Sequence, residues 1–151
     1  MAYTQIVYHI VIRPKDSKPV FPPEYERELF AYMVGVLQAR KSHVYRINGM
    51  PDHIHLLISL HPTVALADLV RDLKIACGNF LRSHPDKFPK FTLWGETYGA
   101  VTCRYDDIET VRQYIIRQKE HHTKVSFADE FKQFLAENGI ELDAYLPNST
   151  P

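Results

Sequence analysis

What most constrains this chain is the order in which its hydrophobic pattern changes period. From Thr4 to Arg13, Ile6, Tyr8, Ile10 and Ile12 alternate with Gln5, Val7, His9 and Val11. Period-two alternation predicts a strand, and apolar residues in both registers predict a central one. Residues 14–23 hold four prolines and read as a loop. Pro22 and Pro23 suit the first turn of a helix, which Leu29, Phe30, Met33, Val36 and Leu37 carry on at helical spacing to about Arg40. Ser42–Met50 reads as a second strand, ending at Asn48-Gly49 in hairpin chemistry before Pro51, and His53–Leu60 as a third. Thr63 can cap a helix from Val64 to about Ser83, with Leu66, Leu69, Val70, Leu73, Cys77, Phe80 and Leu81 on its buried side. After a loop over 84–97, Tyr98–Arg104 is a short strand. Asp106 or Asp107 then caps a helix to about His122. Ser126 with Asp129 forms a capping box ahead of Phe127, Phe131, Phe134 and Leu135, and Gly139 ends that helix.

Strand, helix, strand, strand, helix, strand is the order of a ferredoxin-like split β-α-β unit. The expected fold class is therefore α+β: an antiparallel sheet of four to five strands, two helices on one face, and two further helices added at the end. A length of 151 residues suits one domain, and a 45% hydrophobic fraction can support its core. No apolar run approaches the roughly 18 residues of a membrane span. Residues 1–20 lack a signal-peptide pattern, because Arg13 and Lys15 follow the apolar stretch. Cys77 and Cys103 are too few for a disulfide scaffold, so the expectation is free thiols in a reducing cytoplasm.

Net charge is zero, with 18 basic and 18 acidic residues, which on its face disfavours a nucleic-acid partner. The distribution says otherwise. Asp129, Glu130, Glu137, Glu141 and Asp143 face Lys132 alone over residues 126–151, a net of −4, so residues 1–125 carry +4. A mildly basic body with an acidic appendage is compatible with a phosphate ligand.

Two local patterns carry chemistry. Alternation along the third strand puts His53 and His55 on one face, where two neutral imidazoles can reach a single cation; the plain alternative is a pair of surface histidines. Tyr114 and Gln118 are four residues apart, hence on one helix face. A phenol with an ordinary pKa near 10 is protonated at neutral pH and needs a nearby cation or base to attack. The alternative is an ordinary half-buried aromatic beside a solvated amide.

Together these patterns carry a resemblance. Pro51-Asp52-His53-Ile54-His55-Leu56-Leu57-Ile58, Leu73-Lys74 on a helix, Trp94, and Tyr114-Ile115-Ile116-Arg117-Gln118 resemble the HUH single-tyrosine transposases of bacterial insertion sequences, named for two histidines around a bulky apolar residue. The opening Tyr8-His9-Ile10-Val11-Ile12-Arg13-Pro14-Lys15 resembles that family's first strand, and the likeness runs over roughly residues 3–122. The stretch from Trp94 to Cys103 follows the family only loosely. Residues 1–125 are then the transposase domain, with 126–151 an appendage of the same domain. The resemblance implies that His53, His55 and Gln118 hold a divalent cation, Mg²⁺ or Mn²⁺, and that Tyr114 is the nucleophile. It implies cutting and rejoining of single-stranded DNA at insertion-sequence ends through a covalent 5′-phosphotyrosine, with recognition of DNA hairpins. It further implies a homodimer whose tyrosine helix can act in trans, leaving Tyr114 distant from its own His53 in some states.

Candidate DNA contacts are Arg71, Lys74 and Arg82 on the second helix and Lys87 and Lys90 in the loop after it; their plain alternative is a solvated face. Arg40, Lys41 and Arg46 form a second basic group. Trp94, Tyr98 and Tyr105 could stack on unpaired bases, although core packing suits Trp94 better. His121 and His122 diverge by about 100° on a helix, which favours exposure over a second metal site. Two other functions fit the same residues: a domesticated non-catalytic DNA-binding dimer, and an HUH nickase for replication or conjugation. Retention of His53, His55, Tyr114 and Gln118 disfavours the first, and compact length the second.

Overall fold

The computed structural model describes residues 2–121 and 125–140. Four strands form one antiparallel sheet: β1 (Val7–Ile12), β2 (Val44–Met50), β3 (His53–Ser59) and β4 (Gly99–Thr102), in the order β2-β3-β1-β4. This is the split β-α-β arrangement expected from the sequence. Each helical crossover leaves room for the strand inserted between the two it joins. The two central strands, β3 and β1, are buried on both faces.

Ile10 and Ile12 of β1, with Ile54, Leu56 and Ile58 of β3, face the layer made by α1 (Glu26–Ala39) and α2 (Leu66–Arg82). Leu29, Met33 and Leu37 recur every four residues along α1 and are fully buried. Leu69, Val70, Leu73, Cys77 and Leu81 do the same for α2. Burying side chains of this size contributes roughly 1.5–3 kcal/mol each.

The opposite face of the sheet is also covered. There Val7 and Leu57 pack with Ile115 of α3 (Ile108–Ile116). Val11 packs with Phe127, Phe134 and Leu135 of α5 (Phe127–Glu137). The two added helices thus complete a second layer, and the His53/His55 face of β3 lies beneath it. Gly99 of β4 serves this packing: a Cβ there would lie 3.0 Å from Phe131 and 3.1 Å from Phe134.

Local chemistry departs from expectation at three places. The β2–β3 turn is Pro51-Asp52, flanked by the Met50–His53 pair, while Asn48 and Gly49 lie inside β2. Gly49 is required by proximity, because a Cβ would fall 2.3 Å from the His53 carbonyl oxygen. Thr63 caps no helix: its hydroxyl is 2.7 Å from His61 Nδ1, and α2 begins after Ala65 with no side-chain cap. The helix expected from Asp107 to His122 breaks at Arg117 into α3 and the single turn α4 (Gln118–His121). Ser126 caps α5 as expected, its Oγ accepting from Asp129 N at 3.3 Å. No described helix is long and apolar enough to cross a membrane.

Candidate active site

The site is built where β1 and β3 run beneath α3, α4 and α5. His53 is wholly buried and His55 is 1% exposed, so the surface-histidine alternative does not hold. Position on a paired strand fixes both backbones, and each ring is oriented by a second partner. Asp52 Oδ1 lies 2.7 Å from His53 Nδ1. With Nδ1–H donating to this carboxylate, Nε2 turns its lone pair into the cluster. His9 Nε2 lies 2.8 Å from His55 Nδ1. Burial, aided by the charge of His55, holds the His9 imidazole down at about 3, against the opposing pull of Glu130. When His55 carries a single proton on Nδ1 and donates it to His9, its Nε2 is left with a lone pair facing the cluster. For His53, burial disfavours the charged ring, but hydrogen bonds with Asp52 and Glu130 outweigh it and raise the pKa.

Facing these nitrogens are two oxygens. Gln118 Oε1 is 3.2 Å from His53 Nε2, and Glu130 Oε1 is 2.7 Å from His55 Nε2 and 3.6 Å from His53 Nε2. Four groups that can act as acceptors therefore converge on one buried point. Gln118 is itself completely buried, and with its oxygen turned inward its Nε2 has no hydrogen-bond partner. The inward oxygen adds an acceptor to the cluster, which suits a cation. Donor atoms of His53, His55 and Glu130 lie within 4.8 Å of one another. The residues present fit a divalent cation.

Tyr114, on α3, places its ring 5.8 Å from that of His55, 6.1 Å from His9 and 5.5 Å from His121. The tyrosine here lies against the histidines of its own chain. Burial and the negative charge of Glu130 push its phenol above the ordinary value, with the Gln118 amide pulling the other way. Tyr114 also lines a cleft of about 660 Å³ together with His9, Thr102, Arg104, His121 and Glu130. That cleft gives the phenol access to a ligand that the buried histidines lack.

Three participants escape a reading of local motifs. His9 lies on the face of β1 opposite Ile10 and Ile12. His121 is partly exposed, yet its Nε2 is 3.0 Å from Glu130 Oε2. Glu130 is 4% exposed although it belongs to the acidic appendage. The signal for Glu130 was its phase: an acid flanked by Phe127 and Phe134 in the buried stripe of one amphipathic helix.

The basic candidates are not at this site. α2 lies on the other face of the sheet, and its cations are engaged within the chain. Arg71 pairs with Asp68 and Asp72 at 3.3 Å, and Lys87 pairs with Glu28 at 2.7 Å. Arg82 donates to the Thr92 carbonyl at 3.0 Å. Lys74 donates to the Gly95 carbonyl at 2.9 Å and sits over Tyr98. Lys90 is exposed. Trp94 packs with Phe21 and Phe91 and donates to the Lys74 carbonyl, whereas Tyr105 is 74% exposed.

Comparison with known proteins places this geometry in context. The family model described as "Transposase IS200 like" matches residues 2–118. The ISDra2 transposase TnpA of Deinococcus radiodurans is 27% identical over 120 residues, covering 77% of this chain and 86% of that protein. A candidate transposase from D. radiodurans R1, solved by crystallography, superposes with a TM-score of 0.61 at 24% identity, over 78% of this chain and 95% of that one. A REP-associated tyrosine transposase bound to a REP hairpin superposes with a TM-score of 0.60 at 13% identity, over 83% of this chain and 76% of that one.

Proposed function

Because this chain belongs to the IS200-like transposase family, we propose that it cuts and rejoins single-stranded DNA at the ends of a mobile element, with Tyr114 as nucleophile. The observation that carries the reading is the meeting of Tyr114, His55, His53 and Gln118 in one cluster, from one strand and two helices about 60 residues further along the chain. His53, His55 and Gln118 would hold a divalent cation, Mg²⁺ or Mn²⁺; the amide oxygen suits Mg²⁺, and the two imidazoles favour Mn²⁺. When bound, the cation neutralises charge on the scissile phosphate and polarises it.

Tyr114 Oη attacks phosphorus and forms a 5′-phosphotyrosine bond. The bond to the 3′ oxygen breaks, the phenol gives up its proton, and the oxygen leaves as a 3′-hydroxyl. Attack by another strand's 3′-hydroxyl reverses these steps, so bond energy is conserved and no nucleotide cofactor is consumed. α3 supplies position, which is most of what in-line displacement asks of a protein. The substrate is single-stranded DNA bearing a hairpin. The REP hairpin held by a structurally similar transposase supports this substrate class. Arg71, Lys74, Arg82, Lys87 and Lys90 contribute phosphate contacts away from the chemistry, and two copies of the chain work together in the cytoplasm.

The decisive experiment incubates the protein with labelled single-stranded DNA flanking its gene and Mn²⁺ or Mg²⁺, then seeks an adduct that survives denaturation. The wild type should form it, and Tyr114→Phe should abolish it while retaining DNA binding. An adduct with the Phe variant would remove Tyr114 from its role, and undiminished cleavage in EDTA would remove the cation.

A further inference from the structure

Among the described residues, Glu130 is the only buried acid, and it lies outside the span 2–118 that the family model matches. It is delivered by a helix whose seat is specific. Phe127, three residues earlier, stacks on the His53 ring at 4.2 Å with an interplanar angle of 19°. Phe134, one turn later, meets the His9 ring edge-on at 5.0 Å. Between them, Oε1 of Glu130 faces both histidine Nε2 atoms, at 2.7 and 3.6 Å.

Metal bonds of about 2.0–2.2 Å place neighbouring donors roughly 3 Å apart and opposite donors roughly 4.3 Å apart. The spacing of these atoms, all within 4.8 Å, suits a shared cation. A buried carboxylate costs several kcal/mol unless its charge is compensated. The imidazoles of His53, His55 and His121 face this carboxylate, and a divalent cation seated among them would compensate its charge.

We infer that Glu130 is a ligand of the cation held by His53 and His55, so that docking of α5 and binding of the cation stabilise one another. This rests on the cation site proposed above. It adds an anionic oxygen to a set otherwise made of neutral donors. It also makes α5 a structural part of the centre. Linkage is reciprocal: whatever factor α5 docking adds to cation affinity, the cation adds to α5 docking.

The test uses the whole chain and MnCl₂ alone, with no DNA. Mn²⁺ affinity is read by electron paramagnetic resonance of the free ion, and helix docking by hydrogen exchange of amides 127–137. Wild type should bind Mn²⁺ and gain protection in α5 on binding. Glu130→Gln keeps size and removes charge; it should weaken binding at least about tenfold, a loss typical of a disturbed metal shell, and should abolish the Mn²⁺-dependent protection. Glu130→Asp, which keeps the charge but shortens the reach, should fall between, and guards against a folding defect particular to the amide. His53→Ala separates the two levels of the argument. If His53→Ala loses Mn²⁺ while both Glu130 variants bind as wild type does, or more tightly, the cation site stands and Glu130 is not a ligand. If wild type itself binds no Mn²⁺, the cation site fails and this inference fails with it.

Discussion

At the residue scale, burial decides what each reactive side chain can do. Cys77 is fully buried, and burial raises its thiol to about 12 despite the charge of Arg40. Cys103 is only partly buried and its thiol is raised as well, by burial and then by Asp107. Near neutral pH a maleimide should therefore label Cys103 slowly and leave Cys77 unmodified until the protein unfolds; mass spectrometry of native and denatured samples would show it. Labelling of Cys77 in the folded protein would contradict its place in the core. His9 offers a second check. Exchanging it for Leu removes the acceptor for His55 Nδ1 and should weaken Mn²⁺ binding by about 10–100-fold, read by the same resonance titration. His53, His55, Tyr114 and Gln118 were legible because their spacing on one strand and one helix is local. His9 and Glu130 were not, because their partners stand 46 and 75 residues away. The phase of Glu130 between Phe127 and Phe134 hints at burial, but nothing local names the groups that either residue meets.

At the scale of elements, the break at Arg117 sets the site's geometry. Asn48 Nδ2 donates to the carbonyls of Ile115 at 3.0 Å and Ile116 at 3.2 Å, capping the end of α3 from β2. Lys119, on α4, pairs with Glu26 at 2.8 Å and also donates to the Gly49 carbonyl. These contacts hold Tyr114 and Gln118 over the same histidines although they belong to different helices. Asn48→Ala should cost about 1–2 kcal/mol, the usual loss when partly buried carbonyls are left unpaired, measurable by urea denaturation. It should also slow adduct formation more than it weakens DNA binding. Equal stability and rate in the variant would show that the cap is idle. The sequence pattern read the six elements of the split unit correctly, because each carries its own period. It misplaced the hairpin turn, because Asn-Gly has two uses. The pair serves here as a helix cap and a close backbone approach, and neither purpose can be seen without the packed α3.

For the whole molecule, the zero net charge hides both layers of the fold. The acid that cancels much of the basic excess includes Glu130, which is inside the protein and opposite imidazoles. Arg71 pairs with Asp68 and Asp72, Lys87 with Glu28, and Lys74 and Arg82 donate to backbone carbonyls. DNA binding should accordingly rest on few phosphate contacts. The logarithm of affinity for single strands should fall with the logarithm of salt at about 0.7 per contact, with a total slope of only a few units. Fluorescence anisotropy across a salt series measures it, and a slope near zero would argue against phosphate contacts altogether. The seating of α5 on β1 and β4 carries a consequence for how the protein comes into being. Chains are made from the amino end, and early segments collapse first. The strands that bear the histidines are thus synthesised before the helix that roofs them, and Val11 and His53 wait for Phe127, which comes much later in the sequence. A ribosome-bound fragment has the pair of imidazoles without their carboxylate. The site comes into existence only once α5 has been made and has docked.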